Sequence, residues 1–439
     1  MEALKRGLDA WMERYVAAER IPCAACAVLV DGETVYKRHF GWADKEGRRL
    51  HDSSDVFRMY SCTKAVTAVA ALQLLEQGLW SLDDPVTKFL PVMAQVPGVM
   101  AEGGQLEPLE RPITMRHLLT HTSGVSYSIM PNLTDGRPNP VSVEFREAML
   151  DQSTSLEDLV NRVAAVPLVN QPGTTWNYGF NIDIVGRVVE VLSGMPLDVY
   201  FEQNIFRPLG MTSTCFRPRA APEMKARLVH LYSANFPAIA KYGSYFFKSD
   251  FSETPRMLKG HFMYGRFSEG PNDYTVAGPV ALEPGGGLLS TLDDWVLFTE
   301  CLRKGGSCPG AGRRILQPGT AELMATDLRP PGCLTHPSMR LVCGRGKEDP
   351  GYGHGLGVVV AVDPEGRGRS LGPGVGSIEW GGMASTIFWA DPGERVSVVF
   401  LTQIFAPDTY PLRSELKELV YTHLRRAHAA ARSLPKSKL

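Results

Sequence analysis

The chain has 439 residues, 44% hydrophobic and 21% charged, a composition that supports a packed core and excludes a disordered polypeptide. Its formal net charge is -1 and no basic stripe interleaved with aromatics runs along it, so nucleic acid is not expected as a partner. No segment reaches the roughly 18 uninterrupted apolar residues of a membrane span.

Residues 1–22, MEALKRGLDAWMERYVAAERIP, read as an amphipathic helix with charges throughout. They lack the apolar run of about 7–15 residues that marks a secretory signal, so an intracellular protein is expected. Residues 23–44, CAACAVLVDGETVYKRHFGWAD, read as a hairpin turning at Asp31-Gly32. The eight cysteines lie at 23, 26, 62, 215, 301, 308, 333 and 343. Cys23 and Cys26 form the only C-x-x-C. On a strand an offset of three points them to opposite faces, so buried reduced thiols are the expectation.

The middle of the chain differs from its ends. EDLVNRVAAV and NIDIVGRVVEVLSG carry apolar residues at helical spacing, separated by polar and Gly/Pro-rich connections. Three β-rich runs come late: GHGLGVVVAV, SIEWGGMASTIFWADP and RVSVVFLTQ. Strands close in sequence with tight turns make an antiparallel sheet. The expected fold class is therefore α/β of the α+β type, an antiparallel sheet flanked by helices. Residues 1–90 and 285–439 would form a discontinuous sheet domain, with a mainly helical domain, 91–284, inserted. The final helix, PLRSELKELVYTHLRRAHAAARSL, would lie across the sheet, a membrane surface being the rival place for its basic end. The chain ends in Ser437-Lys438-Leu439, the tripeptide that a peroxisomal import receptor reads. A eukaryotic host would make the protein peroxisomal; a bacterial host would leave it cytoplasmic.

Residues 58–78, RMYSCTKAVTAVAALQLLEQG, place Ser61 and Lys64 three apart at the mouth of a run apolar all round, as for a helix buried on every side. A serine hydroxyl is a poor nucleophile until its proton is taken, and a desolvated amine can take it near neutral pH. If Ser61 begins the helix, its backbone N–H and the positive end of the dipole favour an oxyanion beside it. The competing reading is a helix cap with a snorkelling lysine. Ser414-Glu415-Leu416-Lys417 and Ser433-Leu434-Pro435-Lys436 match S-x-x-K as well, and read as a solvated helix face and a tail.

A catalytic serine of this kind needs a second proton handler and backbone donors aimed at the oxyanion. Tyr178, in QPGTTWNYGFNIDIVG just before an amphipathic helix, is the candidate handler; a tyrosine that only packs its ring is the alternative. Gly381-Gly382 in EWGGMAST would let backbone approach a ligand without a Cβ in the way, or would mark a bulge. His117 and His121 have the i, i+4 spacing of a zinc pair, but Leu118 stands where a metallohydrolase carries glutamate, so neither metal nor cofactor is expected. The glycines of GYGHGLGVVV miss the dinucleotide spacing and read as close packing, with His354 structural. Residues 235–275 hold ten of the chain's 14 tyrosines and 18 phenylalanines, a density that fits an acyl pocket, a lid, or core packing.

Together SCTK, ITMRHLLTHTSGV, PGTTWNYG, IFRPLGMTST, GGGLLSTLDDW and WGGMASTIFWADP resemble the serine β-lactamase and penicillin-binding-protein group. Within it the likeness, over roughly residues 20–405, is to the class C β-lactamase-like esterases called family VIII carboxylesterases and the related transesterases. The resemblance implies the serine β-lactamase/DD-peptidase-like fold, with Ser61 as acylated nucleophile, Lys64 sharing its proton and Tyr178 relaying protons to and from the leaving group. It also implies an oxyanion hole made by the backbone N–H groups of Ser61 and Met383. Two departures bear on substrate. Phe180 stands where the β-lactamase pattern has asparagine, with Asn181 one step on, and Trp380-Gly381-Gly382 replaces Lys-Thr-Gly. Both remove contacts to an anionic β-lactam and add apolar surface, so Phe180, Asn181, Trp380, Gly381 and Gly382 are the expected substrate-binding residues. The expected activity is a carboxylesterase for small or medium acyl esters; the alternatives are acyl transfer to an alcohol and weak β-lactamase activity. A non-catalytic binding protein on the same scaffold is the rival from another class.

Overall fold

The computed structural model describes residues 1–101, 104–127, 155–216, 220–234, 257–259, 261–263, 266–268, 286–310, 312–335, 351–362, 373–405, 407 and 410–432. Most of the aromatic-rich stretch, Ser433–Lys436 and the terminal Ser437-Lys438-Leu439 lie outside the described residues.

Eight antiparallel strands form the central sheet: β1 (Cys23–Val30), β2 (Glu33–Asp44), β3 (Arg49–Leu50), β4 (Tyr352–His354), β5 (Val359–Ala361), β6 (Ile378–Gly381), β7 (Ile387–Asp391) and β8 (Val396–Leu401). Their order is β4-β5-β6-β7-β8-β1-β2-β3, so β8 beside β1 joins the two ends of the chain. That seam runs in register from Ala25–Leu401 to Val30–Val396. Asp31 and Gly32 turn β1 into β2 with φ of 58° and 89°, the paired positive values of a tight hairpin turn that suits the sheet's twist. The three late β-rich runs yield five strands, because each of the first two contains its own reversal. In the second, Gly382 N–H donates to the Thr386 carbonyl at 2.8 Å and closes the turn between β6 and β7.

The helices that matter here are α1 (Glu2–Ala17), α2 (Thr63–Glu76), α3 (Met115–Leu119), α4 (Leu156–Ala164), α5 (Asn181–Ser193), α6 (Leu292–Arg303) and α7 (Leu412–Arg432). Period-two alternation in β1 sends Ala24, Cys26 and Val28 to one face and Cys23, Ala25 and Ala27 to the other. The first face is covered by α1 and α7, through Leu8, Trp11, Leu416 and Val420 against Trp389, Val398 and Phe400. Each such side chain contributes roughly 1.5–3 kcal/mol by leaving water, which accounts for the apolar stripe of α7 without a membrane. The opposite face carries α6 and, beyond it, α2 with α4 and α5. Among the described residues no helix is long and apolar enough to cross a membrane.

Every side chain of α2 from Thr63 to Leu72 is buried, as a helix apolar on all sides requires. The glycines of the 351–357 segment serve this packing: Gly357 has φ 80°, and a Cβ there would collide with Ala68 of α2. The Ser414–Lys417 motif departs from expectation. Lys417 is buried, not solvated, because α7 turns that face onto the sheet, where the ammonium pairs with Glu379 of β6.

Candidate active site

Three separate segments meet around Ser61. Ser61 lies in a 3-10 turn, Tyr60–Cys62, that runs straight into α2. Tyr60 holds φ at 46°, a left-handed conformation that a bulky side chain rarely adopts. Strain of this kind, of order 1–3 kcal/mol, persists only where the surroundings enforce it. Lys64 follows one turn later. Its ammonium donates to Ser61 Oγ at 3.3 Å, and it is completely buried. The cation also lies 4.8 Å from the centre of the Tyr178 ring and 5.4 Å from that of Tyr127, two aromatic faces that favour a desolvated positive charge.

Tyr178 arrives from the turn between a short strand, Thr175–Trp176, and α5, and its hydroxyl donates to Ser61 Oγ at 2.7 Å. The backbone fixes it there. Asn177 N–H donates to the His121 carbonyl at 2.7 Å, and a Cβ on Gly179 would strike the Val125 carbonyl. Burial pushes the Tyr178 phenol well above its usual range, with the Ser61 hydroxyl and the Trp380 indole working against that rise. It therefore rests protonated. Cys62, next to the serine, is no rival nucleophile: burial pushes its thiol up to about 12 despite the nearby Thr386 hydroxyl.

Strand β6 flanks the same corner. The protein's own packing already calls for Gly381 and Gly382. A Cβ on Gly381 would meet the Thr386 carbonyl and the Arg413 guanidinium, and one on Gly382 the Met59 carbonyl and the Thr386 hydroxyl. Since Met59 and Tyr60 immediately precede Ser61, this contact sets the β6 turn, and Met383 after it, against the serine's own turn.

The other expected substrate contacts divide. Phe180 is buried with its ring 4.3 Å from that of Tyr127, edge on, and so belongs to the aromatic layer around Lys64. Asn181 is not available to a ligand. Its amide N–H groups donate to the Val125 carbonyl and to His121 Nδ1, both at 3.1 Å, and its oxygen accepts from Ser123. Trp380 is fully buried and packs against Tyr178, His121 and His354, so it offers no exposed surface where the family's cation stands. Period-two alternation in β6 is the reason: it turns Trp380 inward and Glu379 toward α7.

His117 and His121 do not form a ligand pair. Helix α3 ends between them; His117 Nδ1 accepts from Thr114 N–H in a reciprocal cap at 3.2 Å, and His121 leaves the helix with φ 55°. Among the described residues one group has metal-like spacing, Asp44, Glu46 and His230 on the surface. Tyr127 and the ring neighbours His121 and Trp176 do not stand out from the sequence as members of the site. The phrases HTSGV and TTWNYG, which hold His121 and Trp176 and stop short of Tyr127, do stand out, but nothing in their spacing says which side chain turns inward.

Over most of its length the chain is similar to known proteins. The Beta-lactamase family profile matches residues 8–421. Esterase EstB of Burkholderia gladioli is 29% identical over 424 residues, 95% of each chain. Acyltransferase calJ of Penicillium decumbens is 31% identical over 364 residues, 79% of this chain and 75% of that one. Among solved structures, EstCE1, described as a hydrolase with promiscuous acyltransferase activity, superposes with a TM-score of 0.72 over 96% of this chain and 99% of its own, at 24% identity.

Proposed function

Because this chain belongs to the beta-lactamase family, we propose that its Ser61 corner is the active site of a serine esterase for small and medium acyl esters. The observation that carries the reading is the convergence of Lys64 and Tyr178 on one hydroxyl, at 3.3 and 2.7 Å. In the reactive form the Lys64–Tyr178 pair is one proton short, and Ser61 Oγ attacks the ester carbonyl as its proton passes to that open position. The tetrahedral oxyanion takes hydrogen bonds from the Ser61 and Met383 backbone N–H groups. The C–O bond then breaks, the departing alcohol receives its proton from Tyr178, and the acyl group stays on Ser61. Water attacks that acyl-enzyme in the reverse sense, releasing the carboxylic acid and restoring the hydroxyl.

Acyl transfer is the second reading, favoured by the likeness to calJ. It shares the acyl-enzyme and differs only in the acceptor, an alcohol in place of water. The test is hydrolysis of p-nitrophenyl esters from acetate to decanoate, with Ser61→Ala alongside and intact mass measured after a fluorophosphonate. The expected outcome is turnover and a mass increment in wild type, both lost in the variant. Labelling with negligible turnover, restored by added alcohols, assigns transfer; a wild type that never labels overturns the enzyme reading. Nitrocefin in the same assay measures any residual β-lactam turnover, for which the strand offers no Lys-Thr-Gly cation. For a eukaryotic host, Ser437-Lys438-Leu439 retains its reading as a peroxisomal address, tested by whether the tripeptide redirects a fluorescent reporter.

A further inference from the structure

Five rings stand together behind the serine. His121, Trp176, Tyr178, His354 and Trp380 are all buried, and His121 touches each of the other four at centroid separations from 4.9 to 6.4 Å. Trp176, His354 and Trp380 complete the circle with Tyr178 at 5.5 to 6.1 Å. A purely apolar box would be built from phenylalanine and leucine, yet two members are imidazoles.

Hydrogen bonding fixes the protonation of each imidazole. Asn181 gives its amide oxygen to Ser123 and its NH2 to Val125 and His121, so His121 Nδ1 accepts and the ring proton sits on Nε2. His354 Nδ1 lies 2.8 Å from the Gly355 carbonyl and must donate to it, which leaves a lone pair on Nε2. The two rings face each other edge on at 5.3 Å, one with a donor to place and the other with an acceptor. Neither Nε2 atom has a partner among the described residues, and the Trp176 indole N–H is likewise unpaired. Burial holds both imidazoles below their usual range, so both are neutral. An unmet buried polar atom costs about 1–3 kcal/mol, and a water with two to four polar partners removes that cost.

We propose that His121 and His354 share one buried water between their Nε2 atoms, and that this imidazole–water–imidazole bridge is a positioning device for Tyr178. His121 Nε2–H donates to the water, and the water donates to His354 Nε2. Since the His121 ring packs on the Tyr178 ring at 4.9 Å, the bridge holds the phenol against Ser61. It also sets a polarisable neutral dipole beside the phenol as its proton moves, where a second cation would oppose Lys64. The proposal rests on the esterase reading, in which Tyr178 carries that proton.

Amide substitutions separate the bridge from mere packing. The end of an asparagine side chain reaches the place of imidazole Nδ1, whereas that of glutamine reaches the place of Nε2. The bridge therefore expects His354→Gln to keep kcat within about threefold of wild type and His354→Asn to lose roughly tenfold or more, with KM little changed. The same order is expected for His121→Gln over His121→Asn. Asparagine variants as active as the glutamine ones, or a loss confined to KM or to melting temperature, overturn the role. Should the variants fail to fold, a wild-type crystal structure at about 1.5 Å decides: a water within hydrogen-bond reach of both Nε2 atoms is required, and its absence sinks the proposal. Fluorophosphonate labelling of wild type keeps the two readings apart. A wild type that labels while glutamine and asparagine variants behave alike loses the bridge and keeps the esterase; one that never labels loses the esterase and with it the bridge's role toward Tyr178, whatever the crystal structure shows of the water.

Discussion

Ser61–Lys64 and Ser414–Lys417 share a spacing and a burial but not a chemistry. Both lysines are buried, at 0% and 1% exposure. Lys417 lies under the sheet, paired with Glu379, whose other oxygen is 3.5 Å from Arg413. Its serine is occupied at the start of α7, donating to the Pro411 carbonyl at 3.1 Å. Lys64 instead donates to its own serine, with two tyrosine rings against it. A buried ammonium beside a carboxylate has its charge met by an ion pair, while one beside a hydroxyl stands within hydrogen-bond reach of a group with which it can exchange a proton. What separates the two lysines is therefore the partner, not the burial or the motif.

Substituting the two lysines breaks the comparison most directly. Lys64→Met should lower kcat by about 10²–10⁴, the range for a lost acid–base group, with little change in melting temperature. Lys417→Met should do the reverse. It takes from buried Glu379 the ammonium that pairs with it, at a cost of about 3–5 kcal/mol in denaturant unfolding, while kcat per folded molecule stays within about threefold. Equal losses of activity from both would erase the distinction. Next in size is Tyr178→Phe, which keeps the ring over Lys64 and removes only the proton. A fall of roughly 10²–10³ in kcat is expected, together with slower fluorophosphonate labelling.

How much of this can be read from the sequence depends on the range of the signal. The hairpin at Asp31-Gly32, the buried helix after Ser61 and the opposed Cys23 and Cys26 follow from local periodicity and turn chemistry, which a sequence displays directly. Ser61, Lys64 and Tyr178 are legible because their phrases resemble a family's. The orientation of Trp380, the engaged amide of Asn181 and the burial of Lys417 are not. Each depends on which face of a strand or helix meets which partner more than 30 residues away, as Glu379 meets Lys417. Gly381-Gly382 shows the same limit: the pair announces a close approach, and only the tertiary structure says that the approaching groups are Arg413, Met59 and Thr386.

Acid should sharpen the contrast between the two faces of the sheet. On the site's side His117 and His354 are lowered to about 4 and His121 well below its usual range, in each case chiefly by burial. The unfolded chain would protonate these imidazoles near pH 6.5. A folded-state value below the unfolded one means that the unfolded state binds protons first as pH falls. Stability is thus complete above about pH 6.5 and declines toward pH 4, by about 1.4 kcal/mol per pH unit for each extra proton bound on unfolding. Urea midpoints at about pH 7.5, 6 and 5 should fall in that order. His354→Gln, which cannot take up that proton, should make the decline shallower; an unchanged slope would mean that His354 is already charged in the folded protein.

The smallest expected effect compares the two ends of α2. At its far end Gly78 adopts φ 72°, with nothing within 4 Å of the place a Cβ would take, so Gly78→Ala meets no clash and carries only the left-handed backbone cost. About 1 kcal/mol should be lost in urea unfolding, with kcat unchanged. At the near end Tyr60 takes the same left-handed region at φ 46°, where glycine would be easier, yet its Cβ and the preceding Met59 carbonyl pack against Gly382 and carry Ser61 into place. If Gly78→Ala altered kcat as well, strain would travel the length of α2 and the serine's turn would not be set locally. Stability falling alone means that the left-handed residue ending the helix serves only the chain reversal, whereas the one beginning it is held at a cost by the contacts that aim the Ser61 hydroxyl.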